Sequence, residues 1–264
     1  MLELNGVTRE FATPDGRTYC ALRDVSLRID RGAFVAIVGP SGCGKSTLLH
    51  LAAGLLEPTR GTVRIDGVPL DGLNRRATYM FQQDALLPWK RVRENVALGP
   101  ILAGAPRAEA HARADRWLAR VGLSAFAAHY PSQLSGGMRK RVTMAQNWIL
   151  ERDIVLMDEP FSALDVHTRQ RMESELLSLW ESTVGQTVVF VTHDLEEAIA
   201  LADDVIVLAA GPESHVVARH RVTLERPRDL MELRTTPAFV ELYRAMWAVL
   251  RDEVVKSQRE VGRG

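Results

Sequence analysis

Gly39-Pro40-Ser41-Gly42-Cys43-Gly44-Lys45-Ser46-Thr47 fits the pattern G-x-x-x-x-G-K-[ST]. Its three glycines let successive backbone N–H groups turn inward into a nest for an anion, and a helix starting beside the lysine adds a partial positive charge. Such a loop cradles nucleotide phosphates: Lys45 bridges the β- and γ-phosphates, and the Ser46 hydroxyl ligates Mg2+. The context is right. Phe34 to Val38 is a continuous apolar run, as in a strand covered on both faces, and Ser46 to Leu56 reads as a helix. Cys43 sits at a free position of the pattern and has no chemistry there, although its alkylation would block the loop.

Ile154-Val155-Leu156-Met157-Asp158-Glu159 supplies a second half. A carboxylate ending a buried strand can hold the water shell of Mg2+, which is the part given to Asp158. Glu159 points the other way and suits a base that orients an attacking water. These two motifs specify a P-loop nucleotide enzyme and nothing narrower, since kinases, GTPases and motor ATPases share them.

Leu134-Ser135-Gly136-Gly137-Met138 narrows the class. A Ser hydroxyl and two Gly amides opening a helix form a second anion site, and one nucleotide on one chain has no need of it. The segment resembles the signature of the ATP-binding-cassette (ABC) family, usually Leu-Ser-Gly-Gly-Gln. In that family the signature of one subunit closes over the ATP of another, so the resemblance implies a homodimer. Further motifs follow in the family's order. Phe11 matches the aromatic that stacks on adenine. Gln82, in Tyr79-Met80-Phe81-Gln82, matches the glutamine that reaches Mg2+ and the attacking water. Ser162-Ala163-Leu164-Asp165 matches a loop that signals across the dimer, and His193 matches the switch histidine that contacts the γ-phosphate. The resemblance covers roughly residues 2–210. The chain departs from it at Met138, at Lys140 where Gln is common, and at Gln146-Asn147, which replace an Arg-Ala pair. None of these removes a group that the chemistry requires.

The elements that must hold these residues are those of an α/β protein. Runs at 154–157, 188–191 and 205–208 read as buried strands, separated by helical patterns at 166–183 and 195–202. Residues 91–150 are instead rich in Ala, Arg and Leu and read as helical, with Pro106 opening one helix and Pro131 preceding another. The expected fold is a RecA-like P-loop core with an N-terminal antiparallel β portion around 1–30 and 60–80 and an inserted helical subdomain. In domain terms, 1–87 and 153–210 form the ATP-binding core, 88–152 the helical signature subdomain, and 211–264 a strand-and-helix extension. Phe239, Leu242, Met246, Leu250 and Val254 recur at helical spacing there, and Lys256 to Gly264 read as a frayed polar end.

Composition limits the partners. Lys plus Arg (33) equals Asp plus Glu (33), so bulk charge implies no nucleic-acid partner. No apolar run approaches the roughly 18 residues that cross a bilayer. The start lacks the pattern of a secretory signal. Two cysteines, Cys20 and Cys43, fit a reducing compartment. These features predict a cytoplasmic protein that reaches a membrane only through a partner. The resemblance implies integral-membrane permease subunits, and indirectly an extracytoplasmic solute-binding protein, with the chain on the cytoplasmic face of the inner membrane. Leu86-Leu87-Pro88-Trp89, Met138 and Glu225-Arg226-Pro227-Arg228 resemble the nitrate, sulfonate and taurine importer branch. Trp89 reads as a landing point for a permease helix or as part of the lobe's core. A soluble non-transport cassette and a P-loop kinase are the alternatives; the kinase would have no use for Leu134 to Met138.

Overall fold

The computed structural model describes residues 1–261, with side chains to residue 258. Strands β1 (Leu2–Ala12) and β2 (Thr18–Ile29) pair antiparallel and lead into β3 (Phe34–Val38), the phosphate-loop segment and α1 (Lys45–Ala53). After α1 come β4 (Arg60–Ile65), β5 (Val68–Pro69) and β6 (Ala77–Met80). Three helices follow, α2 (Val92–Leu102), α3 (Arg107–Arg120) and α4 (Gly136–Trp148). The chain then alternates through β7 (Ile154–Asp158), α5 (Val166–Glu181), β8 (Thr187–Val191), α6 (Leu195–Leu201) and β9 (Asp204–Leu208). It ends with β10 (Val216–Arg221), α7 (Leu230–Leu233) and α8 (Pro237–Val261).

Two sheets result. One is antiparallel, in the order β2-β1-β4-β5; the other runs β10-β9-β3-β8-β7-β6 and is parallel except for β10. Every residue of β3, β7, β8 and β9 is buried, and alternate side chains serve opposite faces. Val35, Ile37, Leu156, Val189 and Ile206 pack with α1 and the antiparallel sheet. Phe34, Ala36, Val155, Met157 and Phe190 face Leu176 of α5, Ile199 of α6 and Met246 of α8. The Phe34 ring meets Trp180 edge-on at 5.4 Å. Helices α2 to α4 bury a small core of their own around Val96, Ala114, Leu118 and Val142. This is a RecA-like α/β architecture with a helical insertion, as the motif order predicts.

Some expectations change. Residues 77–80 belong to the parallel sheet, because β6 pairs with β7 from Ala77 opposite Ile154 to Met80 opposite Met157. Helix α1 stops before Leu56, at Gly54, whose φ of +69° leaves the helix and where a Cβ would lie 1.9 Å from the Gly72 carbonyl oxygen. The polar tail does not fray at Lys256: α8 continues to Val261, with Glu253 accepting the Ala210 N–H and pairing with Lys256. Residues 262–264, the rest of that expectation, lie outside the described residues. Trp89 is 71% exposed and so is not part of the lobe's core. Its loop is braced from below by the fully buried Asn95, which accepts the Leu87 N–H at 2.7 Å and donates to the Leu87 and Lys90 carbonyls. No helix is long and apolar enough to cross a membrane among the described residues.

The turn after β8 is held by a buried carboxylate. Asp194 caps α6 by accepting the N–H groups of Glu196 and Glu197, and Thr192 Oγ1 donates to Glu197 Oε2 at 2.6 Å. Burial above all, with the nearby Asp194 and Glu173 charges, pushes Glu197 up to about 7, against the Thr192 bond and Arg169. A carboxyl whose pKa is higher folded than unfolded stabilises the fold most below its unfolded pKa, and that contribution is lost as pH rises through about 7. Wild type should therefore lose stability relative to Glu197→Gln between about pH 4.5 and 7, by up to roughly 3 kcal/mol. Urea midpoints of the two proteins across that range test this; a constant difference between them refutes it.

Candidate functional site

The motif loops gather at the carboxyl ends of the parallel strands, where open α/β sheets bind ligands. The loop after β3 carries 39–44, β6 leads to Gln82, β7 ends at Asp158, and β8 leads to Thr192 and His193. Within the first loop Gly39 and Pro40 are buried, Ser41 and Gly42 are exposed, and Gly44 caps α1 with φ +91°. A Cβ on Gly44 would meet Leu22 Cδ2 at 2.8 Å, so β2 presses directly on the loop. Cys43 is 1% exposed beneath Gly39, and burial pushes its thiol up. It packs as a small apolar side chain and is not the accessible thiol that alkylation would need.

Lys45 is 6% exposed, and its Nζ donates to the carbonyls of Gly39 at 2.8 Å and Pro40 at 3.0 Å. Ser46 Oγ donates to Asp158 Oδ1 at 3.0 Å, which joins the two halves of the motif, and Thr47 follows within α1. The second Asp158 oxygen accepts from Tyr79 at 3.0 Å. Burial first, then the facing Asp158 carboxylate, raises the Tyr79 phenol above its ordinary value, so it remains a donor. Sequence reasoning passed over Tyr79. The available signal was its place next to the last residue of β6, whose neighbour in the sheet is β7.

Glu159 diverges from Asp158. Its backbone lies in the left-handed region at φ +43°, held by its N–H on the Val191 carbonyl at 2.9 Å. Its Oε2 lies 3.0 Å from His193 Nδ1. Gln82 is not directed at Ser46: its amide donates to Ser162 Oγ at 3.3 Å, and that hydroxyl donates to the Glu159 carbonyl at 3.0 Å. The loop glutamine, the 162–165 segment and Glu159 are thus joined in one chain of contacts. Phe11 lies opposite Tyr19 across β1 and β2, with the Arg9 guanidinium 4.6 Å from its ring centre. Among the described residues no three His, Cys, Asp or Glu side chains come together as a metal cluster. The Ser46–Asp158 pair instead fits a hard ion such as Mg2+, which takes one or two protein oxygens and the rest from phosphate and water.

Ser135 caps α4 and accepts the Met138 N–H at 3.3 Å. With Gly136 and Gly137 it lines a cleft of about 330 Å3 shared with Ala163, Asp165 and Thr168. No residue of the phosphate loop lines that cleft. The structure therefore brings Ser46, Asp158, Glu159 and His193 into contacting pairs and leaves Ser135 to Gly137 apart from them.

Comparison with known proteins gives the family. The family model for the ABC transporter matches residues 22–162. The chain is 38% identical to the taurine import ATP-binding protein TauB of Jannaschia sp., over 95% of this chain and 94% of that one. It is 41% identical to an uncharacterized ABC transporter ATP-binding protein of Methanocaldococcus jannaschii, over 97% and 93%. It is also 38% identical to the nitrate import ATP-binding protein NrtC of Synechocystis sp., over 99% of this chain and 39% of that one. Among solved structures, the dimeric post-hydrolysis state of the ATP-binding cassette MJ0796, bound to ADP and Pi, superposes with a TM-score of 0.74 at 34% identity. The match spans 85% of this chain and all of that one. The chain belongs to the ATP-binding-cassette transporter family and is an ATPase of that family.

Proposed function

We propose that this chain powers an importer as a homodimer, each ATP being held between the phosphate loop of one copy and the Ser135 segment of the other. The observation that carries this is the separation of the two anion sites on one chain: Ser135 to Gly137 share their cleft with 163–172 and not with the phosphate loop. A two-fold axis lets each copy complete the other's site. The dimeric state of the related cassette MJ0796 supports it.

In this reading Phe11 stacks on adenine, and the backbone and side chains of Gly39 to Thr47 take the phosphates. The Lys45 ammonium draws the β- and γ-oxygens, and Ser46, Asp158 and Gln82 would hold Mg2+. Bound Mg2+ neutralises charge on the phosphate oxygens. Tyr79 keeps Asp158 turned to Ser46. Glu159 orients and polarises the attacking water, and His193, against Glu159 Oε2, faces the γ-phosphate. The partner's Ser135 hydroxyl, with the amides of Gly136 and Gly137 behind it, stabilises charge on the far side.

The exposed Trp89 supports a permease contact, since a large aromatic on a braced loop is what a docking helix would cover. The partners are integral-membrane permease subunits and, through them, an extracytoplasmic solute-binding protein, with the chain on the cytoplasmic face of the inner membrane. The names of the taurine and nitrate relatives support a small nitrate-, sulfonate- or taurine-like cargo, selected by those partners.

Two experiments test these roles. Glu159→Gln should bind ATP, lose turnover by at least about a hundredfold, and accumulate as a dimer on size exclusion with ATP; near-normal hydrolysis would remove Glu159 from its role. Separately, Ser135→Arg and Lys45→Ala chains should each be nearly inactive as homodimers. Mixed, they form one intact and one doubly damaged site and should recover up to about half the activity per heterodimer if the sites fire independently. A heterodimer that forms and stays inactive counts against independently firing trans sites, and full activity of Ser135→Arg alone ends the signature assignment.

A further inference from the structure

Lys140 is one of the departures from the family pattern that the functional roles above leave unused. It lies on α4, five residues beyond the Ser135 cap, and its side chain is 4% exposed. An ammonium removed from water that far needs charged or strongly polar partners, and it has two. Its Nζ donates to the backbone carbonyl of Gln82 at 2.8 Å. It also lies 3.0 Å from Asp84 Oδ1, where the contact is one of charge and not a directed hydrogen bond. The same carboxylate takes Arg139 Nε at 3.3 Å, so two neighbouring cations of α4 grip one residue of the loop after Gln82. Arg139 in turn donates to the Leu134 carbonyl at 2.7 Å, just before the cap.

Between Ser135 and Lys140 α4 rises only about 7 Å, a distance over which one helix is rigid. One end meets the cleft of the signature segment, and the other holds the peptide group of the residue that aims its amide into the catalytic contacts. A glutamine at 140 would be neutral and shorter, and it could not compensate the half-buried Asp84.

We propose that Lys140 is a positioning residue that locks Gln82 to the signature helix, so that occupancy of a chain's Ser135 site, over the nucleotide of its partner, sets the orientation of the same chain's Gln82 at its own nucleotide. The second clause rests on the trans arrangement proposed above; the first does not. Lys140 acts through Gln82 and touches no reacting atom.

The test uses the full-length chain under dimerising conditions. Lys140→Met keeps the stem and removes the charge. It should lower kcat about tenfold, as loss of an outer-shell partner does, with affinity for a fluorescent ATP analogue within about twofold of wild type. The Hill coefficient for ATP should fall towards one. In a Gln82→Ala background the same change should cost less than about twofold, because the residue through which Lys140 acts is already gone. Lys140→Gln and Asp84→Asn should show the same pattern with smaller losses, and they carry the test if Lys140→Met does not fold. An unchanged kcat overturns the proposal. So does an equal loss with and without the Gln82 side chain, which would make Lys140 a support of the fold alone. If Ser135→Arg alone keeps full activity while the Gln82-dependent loss persists, the positioning role stands and the coupling between sites is refuted.

Discussion

Lys45 is buried at the base of its loop with two carbonyl oxygens, those of Gly39 and Pro40, as its hydrogen-bond acceptors. Carbonyl dipoles offset only part of the cost of taking an ammonium out of water, and a carboxylate in their place would quench the site. The surroundings keep the cation in that state. Cys43 fills the space under Gly39, and Leu22 packs directly against Gly44. The Asp158 carboxylate of the motif is engaged by Ser46 and Tyr79. In the proposed function a polyphosphate would supply the charge that the fold withholds, and the helix α1 begins where that charge would rest.

The same constraint explains why the two proposed anion sites of one chain stand apart. Concentrating the Ser135 terminus and the Lys45 loop on one face of a monomer would place two positive ends together with nothing between them. Strand order instead puts β8 between β3 and β7, and the helical insertion leaves the sheet from β6. The segment 159–165 is the bridge: Glu159 turns back in a left-handed conformation, Ser162 joins it to Gln82, and Asp165 and Thr168 line the cleft beside Ser135. Backbone strain at Glu159 is tolerated because its N–H is taken by Val191 and its carboxylate by His193.

What the sequence disclosed follows from the range of the physics. Buried strands were legible because β3, β7, β8 and β9 are covered on both faces and need apolar side chains throughout. Nests and helix caps were legible because they are local. Ser46 and Asp158 could be paired from motif logic, and they do touch. The contacts of Tyr79 and Lys140 escaped because their partners are distant in sequence, Asp158 and the Gln82–Asp84 loop, and no local pattern marks a contact of that kind. The sheet to which Ala77 to Met80 belongs was missed for the same reason: a strand of four residues carries little pattern, and only its pairing with β7 assigns it. The end of α1 at Gly54 was within reach, since glycine after an apolar helical run is a local stop signal.

The tail shows how a stretch read as a family mark has a mechanical basis. Arg226 lies 4.5 Å over the Trp180 ring and bonds Asp203 and the Leu201 carbonyl. Arg228 donates to the carbonyls of Ala200 and Ala202, the free acceptors at the end of α6, and its own burial lowers its pKa to about 10, still fully charged at neutral pH. Arg234 reaches the buried Glu173 of α5 at 2.6 Å. Both helices that follow the motif loops, α5 after 162–165 and α6 after His193, are therefore fastened at their far sides by arginines of the last segment. Arginine is suited to this because its fork of donors can satisfy several carbonyls at once while it keeps its charge in a buried setting. The position of His193 against Glu159 is set from two directions, by strand β8 beneath it and by a tail that holds α6 in place.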